Sequence, residues 1–157
     1  MILYHGSSLD IPYPDLLHSR ANVDFGKRFY TTSLRGQAVK WCGKFKRRGK
    51  DGIISRYVFD EAAYKHCKVL RFDAYSEEWL DFILACRRGM DQTDYDIVVG
   101  GVANDKVFHT VELYFESLID KAEAIRRLRY EQPNLQICFR TQLVMAQYLC
   151  FDGSERI

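Results

Sequence analysis

The sequence has no pair of cysteines at C-x-x-C spacing, and its five cysteines, Cys42, Cys67, Cys86, Cys138 and Cys150, are scattered and odd in number. Neither a zinc site nor a disulfide framework follows from them; buried, reduced thiols are expected instead. No apolar run is long enough to span a membrane. No basic segment precedes the first apolar run at Ile2, so a secretory leader is not expected and the chain should act in the cytoplasm. Neither a P-loop nor a GxGxxG pattern is present, and Gly100-Gly101 alone is no phosphate loop. His18, His66 and His109 have no metal-ligand spacing with a neighbouring cysteine or acid, so no metal is expected. Neither sign of charge dominates. A formal net charge of +2 demands neither nucleic acid nor an acidic membrane as partner.

What remains is an ordinary globular composition. The 157 residues are 47% apolar and 28% charged, without internal repeat or linker, which suits a single domain over residues 1–157. Strands are expected at Ile2 to His5, Phe29 to Thr32, Ile53 to Phe59, Val69 to Phe72, Asp96 to Gly100, Leu135 to Phe139 and Leu149 to Phe151. A Gly100-Gly101 turn should end the fifth of these, and a polar tail should follow the last. Helices are expected after Ser33, Ser76, Asn104 and Asp120, each of which can act as an N-cap, with Asp120-x-x-Glu123 resembling a capping box. Strands and helices do not alternate regularly, which favours a mixed α+β fold over a doubly wound sheet.

The stretch from Phe25 to Cys42, FGKRFYTTSLRGQAVKWC, organises the chain. A Gly26-Lys27 turn leads into the β-prone run Phe29-Tyr30-Thr31-Thr32 and then into a helix. On that helix Leu34, Ala38, Trp41, Cys42 and Phe45 share one face, at spacings of 4, 3, 1 and 3. Such a junction could bring Tyr30 and Trp41 together to sandwich a flat ring, or both aromatics could be core. The outer face carries Arg35, Lys40, Lys44, Lys46, Arg47 and Arg48, which reads as a solvated face with cations near the helix C-terminus.

This stretch resembles the corresponding segment of ADP-ribosyltransferases of the diphtheria-toxin and poly(ADP-ribose) polymerase branch, and Leu3-Tyr4-His5-Gly6-Ser7 resembles their opening strand. The segments YHGSS, DFGKRFYTT, YDIVVGGVANDK and QICFRT also resemble, in order, a small bacterial domain family of unknown function in the same superfamily, often encoded in toxin–antitoxin pairs. The resemblance implies an ADP-ribosyltransferase-like fold, with split mixed β-sheets and flanking helices around an NAD cleft. It also implies mono-ADP-ribosyl transfer from NAD to an unknown macromolecular acceptor, in a toxin with a cognate antitoxin protein as partner.

The resemblance assigns residues as well. His5 would bond an NAD ribose hydroxyl. Gly6 would bring its backbone to the nicotinamide amide, with Ser7 beside it. Tyr30 and Trp41 would stack on the nicotinamide. Thr31 and Thr32 would offer hydroxyls, and Arg20 would pair with the diphosphate. His5, Tyr30 and Gln136 would form the catalytic set.

The sequence also departs from the family. Ala38 stands where a small hydroxyl residue often binds the nicotinamide amide, Arg28 replaces the second glycine of a Phe-Gly-Lys-Gly turn, and Gln136 occupies the place of the catalytic glutamate. An amide can bond a ribose hydroxyl, but it is no general base and stabilises a cation less than a carboxylate does. Polymer elongation is therefore not expected. A compensating carboxylate could come from Glu112 or Glu116. Two alternatives stay open: a binding module for NAD or ADP-ribose that lacks catalysis, and a pure interaction module whose aromatics are core.

Overall fold

A computed structural model describes residues 1–18 and 24–157. Their elements are β1 (Ile2–Ser7), β2 (Phe29–Thr31), α1 (Arg35–Lys46), β3 (Ile53–Phe59), α2 (Ala63–His66), β4 (Val69–Arg71), α3 (Glu77–Arg87), β5 (Ile97–Gly101), α4 (Asp105–Phe115), α5 (Lys121–Leu128), β6 (Leu135–Phe139), α6 (Gln142–Tyr148) and β7 (Leu149–Arg156). Two sheets result, in the orders β1-β3-β7 and β2-β6-β5-β4. The fold is α+β. The first sheet is wholly antiparallel; only the second is mixed, through its parallel β4–β5 pair. Arg20 lies outside the described residues.

Period-two alternation divides the second sheet between two cores. Phe29, Ile97, Val99, Ile137 and Phe139 point towards the first sheet and meet Leu3, Tyr57 and Phe59 there. Val98 and Cys138 point the other way, into a core with Phe25, Trp79, Leu80, Ile83 and Val107. A strand buried on both faces needs an unbroken apolar run, and Ile97-Val98-Val99 supplies it. The sheets join at one edge, where the Tyr4 and Thr32 backbones exchange hydrogen bonds of 2.8 and 2.9 Å. The cleft opens beside this joint.

Local chemistry accounts for three of the six helix starts among the described residues. Ser76 accepts the Trp79 N–H, Asn104 those of Lys106 and Val107, and Asp120 that of Glu123. Glu123 does not complete the capping box, because its carboxylate binds Arg126 and Arg127. Four expectations need correcting. Leu34, not Ser33, is the N-cap of α1, with no side-chain cap; its N–H goes instead to Thr32 Oγ1 at 3.1 Å. Gly100 and Gly101 form no turn but end β5, in contact with aromatic side chains that a Cβ would meet. The polar tail is the far half of β7, an edge strand held through its backbone to β3. All five cysteines are free; Cys42, Cys86 and Cys138 are buried, Cys67 is half-buried, and Cys150 is exposed, contrary to the expectation for it.

The buried Arg140 follows β6 and pins the loop before β5. It donates to the Asp91 carboxylate, to Thr93 Oγ1 at 2.9 Å and to the Thr93 carbonyl at 3.2 Å. Burial pushes the Asp91 carboxyl up, but the Thr93 hydrogen bonds and the Arg140 guanidinium outweigh it and hold the group below its ordinary value of 3.8. A carboxylate depressed by folding stabilises fully above its unfolded pKa, and that contribution fades as pH falls through the folded value. Wild type should therefore exceed Asp91→Asn in stability at neutral pH, and the two should converge below about pH 4. Urea unfolding at stepped pH measures this; a gap that stays constant down to pH 2 would refute it.

Candidate functional site

The principal cleft of the described residues has a volume of about 1590 Å³ and is lined by β1, by Asp24, Arg28, Phe29 and Tyr30, by one face of α1 and by Gln136 near the start of β6. This exceeds the roughly 300–1,000 Å³ that a single small ligand occupies. His5, Tyr30 and Gln136 all line it, as do Gly6, Ser7 and Trp41. Residues from both ends of the chain thus meet at one site, because β2 and β6 are neighbours and β1 bridges to the residue after β2.

His5 is half-buried, with its ring stacked on Phe29 at 4.6 Å and Nδ1 2.7 Å from the Tyr30 carbonyl oxygen. That oxygen only accepts, so Nδ1 carries a proton. Gly6 offers backbone. Peptide groups along an antiparallel strand alternate in direction, and Tyr4 bonds Thr32 on the side away from β3. Two residues on, the Gly6 N–H and C=O point to that same side, where the cleft lies. Ser7 is buried, and its hydroxyl donates to the Leu9 carbonyl at 2.6 Å and accepts the Leu9 N–H at 3.2 Å.

Tyr30 serves the site differently from the expected sandwich. Its hydroxyl donates to the Gly26 carbonyl at 2.7 Å and accepts the Phe25 N–H at 2.9 Å, and its ring stacks on Phe25 at 6.3 Å. Tyr30 therefore holds the turn at residues 24–26, where Gly26 takes a left-handed conformation at φ 80°. Burial, with the nearby Cys138 and Asp24, pushes its phenol well above the usual range, so it stays protonated. Trp41 is half-buried on the α1 wall and has no aromatic partner among the described residues.

Thr31 and Thr32 are buried and do not line the cleft. Thr31 donates to the Ile137 carbonyl at 2.8 Å, and Thr32 to that of Leu135 at 3.4 Å. Their hydroxyl protons fasten this segment to β6 and are used up in doing so. Ala38 is also buried, beneath Gly6 and away from the cleft. Neither Glu112 nor Glu116 lines the cleft; Glu112 binds Arg87 at 2.6 Å.

Two cleft residues escape sequence reading. Gln37 is 8% exposed, and both polar atoms of its amide are buried without a hydrogen-bond partner among the described residues. A Gln three residues after an N-cap commonly returns to the N-cap N–H, but Thr32 Oγ1 has taken that bond. Asp24 is the second. Its Oδ2 accepts from the Gln136 Nε2 at 3.4 Å and from the Ala103 N–H at 3.3 Å, while Oδ1 meets Arg87 Nη2 at 3.1 Å. No group of three or more metal-ligating side chains comes together among the described residues.

The cleft thus gathers the Gly6 strand edge, the Trp41 ring, the His5 ring and the Gln136 amide around one space. No curated protein and no solved structure matches the chain. A family model matches residues 1–151, so the chain belongs to the family described as protein of unknown function DUF3990.

Proposed function

We propose that the chain cleaves NAD at this cleft as a mono-ADP-ribosyltransferase-like enzyme. The observation that carries the reading is the convergence of His5, the Gly6 backbone, Trp41 and Gln136, from β1, α1 and β6, on one cleft. A strand edge with a donor and an acceptor side by side matches a primary carboxamide, and the unpartnered Gln37 amide adds a second such pair nearby. The indole stacks on the pyridinium ring. The His5 ring bonds a ribose hydroxyl.

In the reaction, the bond between ribose C1′ and the nicotinamide nitrogen breaks, and its electron pair goes to the nitrogen, so nicotinamide leaves neutral. The ribose carries the positive charge as an oxocarbenium ion. An oxygen or nitrogen lone pair of the acceptor then bonds C1′, and the acceptor's proton passes to water. The phenol of Tyr30 and the amide of Gln136 cannot take that proton at neutral pH. A macromolecular acceptor and a cognate antitoxin as partner complete the proposal; they rest on the sequence resemblance. A cleft larger than one small ligand is consistent with a second substrate.

Labelled NAD incubated with the protein and a cell lysate tests the reading: the expected result is label on an acceptor and free nicotinamide. Absence of both, with NAD bound, supports the second reading, a binding module, which is favoured by the amide at position 136. Trp41→Ala should weaken NAD binding by about 1–3 kcal/mol, with base–aromatic stacking as the guide. Calorimetric titration of the folded variant checks this, and an unchanged affinity would return Trp41 to a packing role.

A further inference from the structure

We infer that Asp24 supplies the negative charge that β6 lacks, acting through Gln136 from a loop instead of from the strand. The inference deepens the NAD-cleaving reading above and rests on it.

The charge bookkeeping around Asp24 is specific. The Asp24 side chain is 16% exposed and that of Arg87, its partner, 7%. Arg87 also donates Nη1 to Glu112 at 2.6 Å and lies over the Phe108 ring at 5.0 Å. One guanidinium is thus shared by two carboxylates, and the trio keeps one negative charge. Oδ1 of Asp24 faces Arg87, while Oδ2 faces Gln136.

This arrangement decides how Gln136 presents its amide. An ionised carboxylate only accepts, so the amide nitrogen must be the end that faces Asp24. The carbonyl oxygen Oε1 is then the end left for the cleft, with no hydrogen-bond partner among the described residues. It can accept a ribose hydroxyl as a carboxylate oxygen would. An anion behind the NH₂ group pulls the amide dipole so that Oε1 becomes more electron-rich, which strengthens that bond as the oxocarbenium forms. Asp24 is a positioning residue in this scheme, since Gln136 makes the contact.

The same geometry explains why position 136 is an amide. A glutamate there would set a second buried carboxylate against Oδ2 at the present 3.4 Å spacing. Two like charges so close cannot both ionise readily, and one would take up a proton. Loop and strand thus hold one carboxylate and one amide between them, with the carboxylate on the loop. Holding the loop in place does not require Asp24, because Phe25 beside it is fully buried and its N–H is bound by Tyr30.

The test is nicotinamide release from NAD by wild type, Asp24→Asn, Gln136→Glu and the double exchange Asp24→Asn/Gln136→Glu. Circular dichroism and thermal melting give the folded fraction of each. Asp24→Asn should lower kcat by roughly 100-fold with KM little changed, the scale of losing one group aimed at developing charge. Gln136→Glu should also lose activity, and the double exchange should regain at least tenfold over it. Asp24→Asn within twofold of wild type per folded molecule, or a double exchange no better than Gln136→Glu, would overturn the inference and leave the NAD reading standing. A wild type that releases no nicotinamide overturns both. Should Asp24→Asn fail to fold, the comparison of the double exchange with Gln136→Glu decides.

Discussion

Arg87→Met should lower the stability of the folded chain by about 3–5 kcal/mol, the usual consequence of removing one member of a buried ion pair. Methionine fills a similar volume and keeps contact with Phe108, so the loss is mainly electrostatic. It falls chiefly on Asp24, whose side chain is 16% exposed and would lose its one guanidinium partner among the described residues. Glu112 is 39% exposed and stays hydrated without Arg87, so it adds little. Asp24→Asn added to Arg87→Met should recover part of the loss, because a buried charge without a partner costs more than a buried amide. Urea unfolding with an unchanged denaturant slope measures both effects. A loss under about 1 kcal/mol would mean that the Asp24 carboxylate reaches water and is hydrated like a surface group.

That ion pair also marks the limit of what the sequence discloses. Asp24 reads locally as loop punctuation before Phe25 and Gly26. Its partners, Arg87 on α3, Ala103 after β5 and Gln136 on β6, are far along the chain, and nothing in the spacing of these residues joins them. Glu112, weighed as a compensating carboxylate, meets the far side of the same arginine and does not line the cleft. The charge is there, one residue before the segment that organises the chain.

Features with local causes were legible. Ser76, Asn104 and Asp120 cap the helices expected of them, because a cap is a bond between near neighbours. The apolar run of β5 announces a strand covered on both faces. His5, Tyr30 and Gln136 line one cleft, because β2 pairs with β6 and β1 bridges to the residue after β2. Features settled by competition between partners, local or tertiary, were not legible. Gln37 holds a position that suggests capping and is displaced from it by Thr32. Thr31 and Thr32, read as cleft hydroxyls, are consumed in binding β2 to β6. The far half of β7 shows no apolar alternation because an edge strand can be held by backbone bonds while its side chains meet water. Trp41 falls between these cases: its helical face was legible, but half-burial on the cleft wall is a matter of where α1 docks.

That docking depends on Gly6, and Gly6→Ala should both destabilise the fold and weaken NAD binding at least tenfold. A Cβ at this position would lie 2.3 Å from the Ala38 carbonyl oxygen, 3.1 Å from its carbon and 3.1 Å from Cys42 Sγ. No left-handed conformation is involved, since Gly6 is absent from the positive-φ glycines; what the position demands is close approach. The nearest atom is backbone, so no side-chain rotation relieves the clash, and Ala38→Gly would not rescue it. Helix α1 has to retreat from β1, and overpacking of this kind costs about 1–3 kcal/mol, occasionally more. The retreat carries Gln37 and Trp41 away from the strand edge that offers the Gly6 N–H and C=O, and a stacked ring held between wall and edge is sensitive to such a shift. Urea unfolding gives the first effect, and NAD titration at a temperature where the variant is folded gives the second. A variant as stable as wild type with unchanged affinity would show that α1 moves at no cost, and that the cleft is not defined by the contact between Gly6 and Ala38.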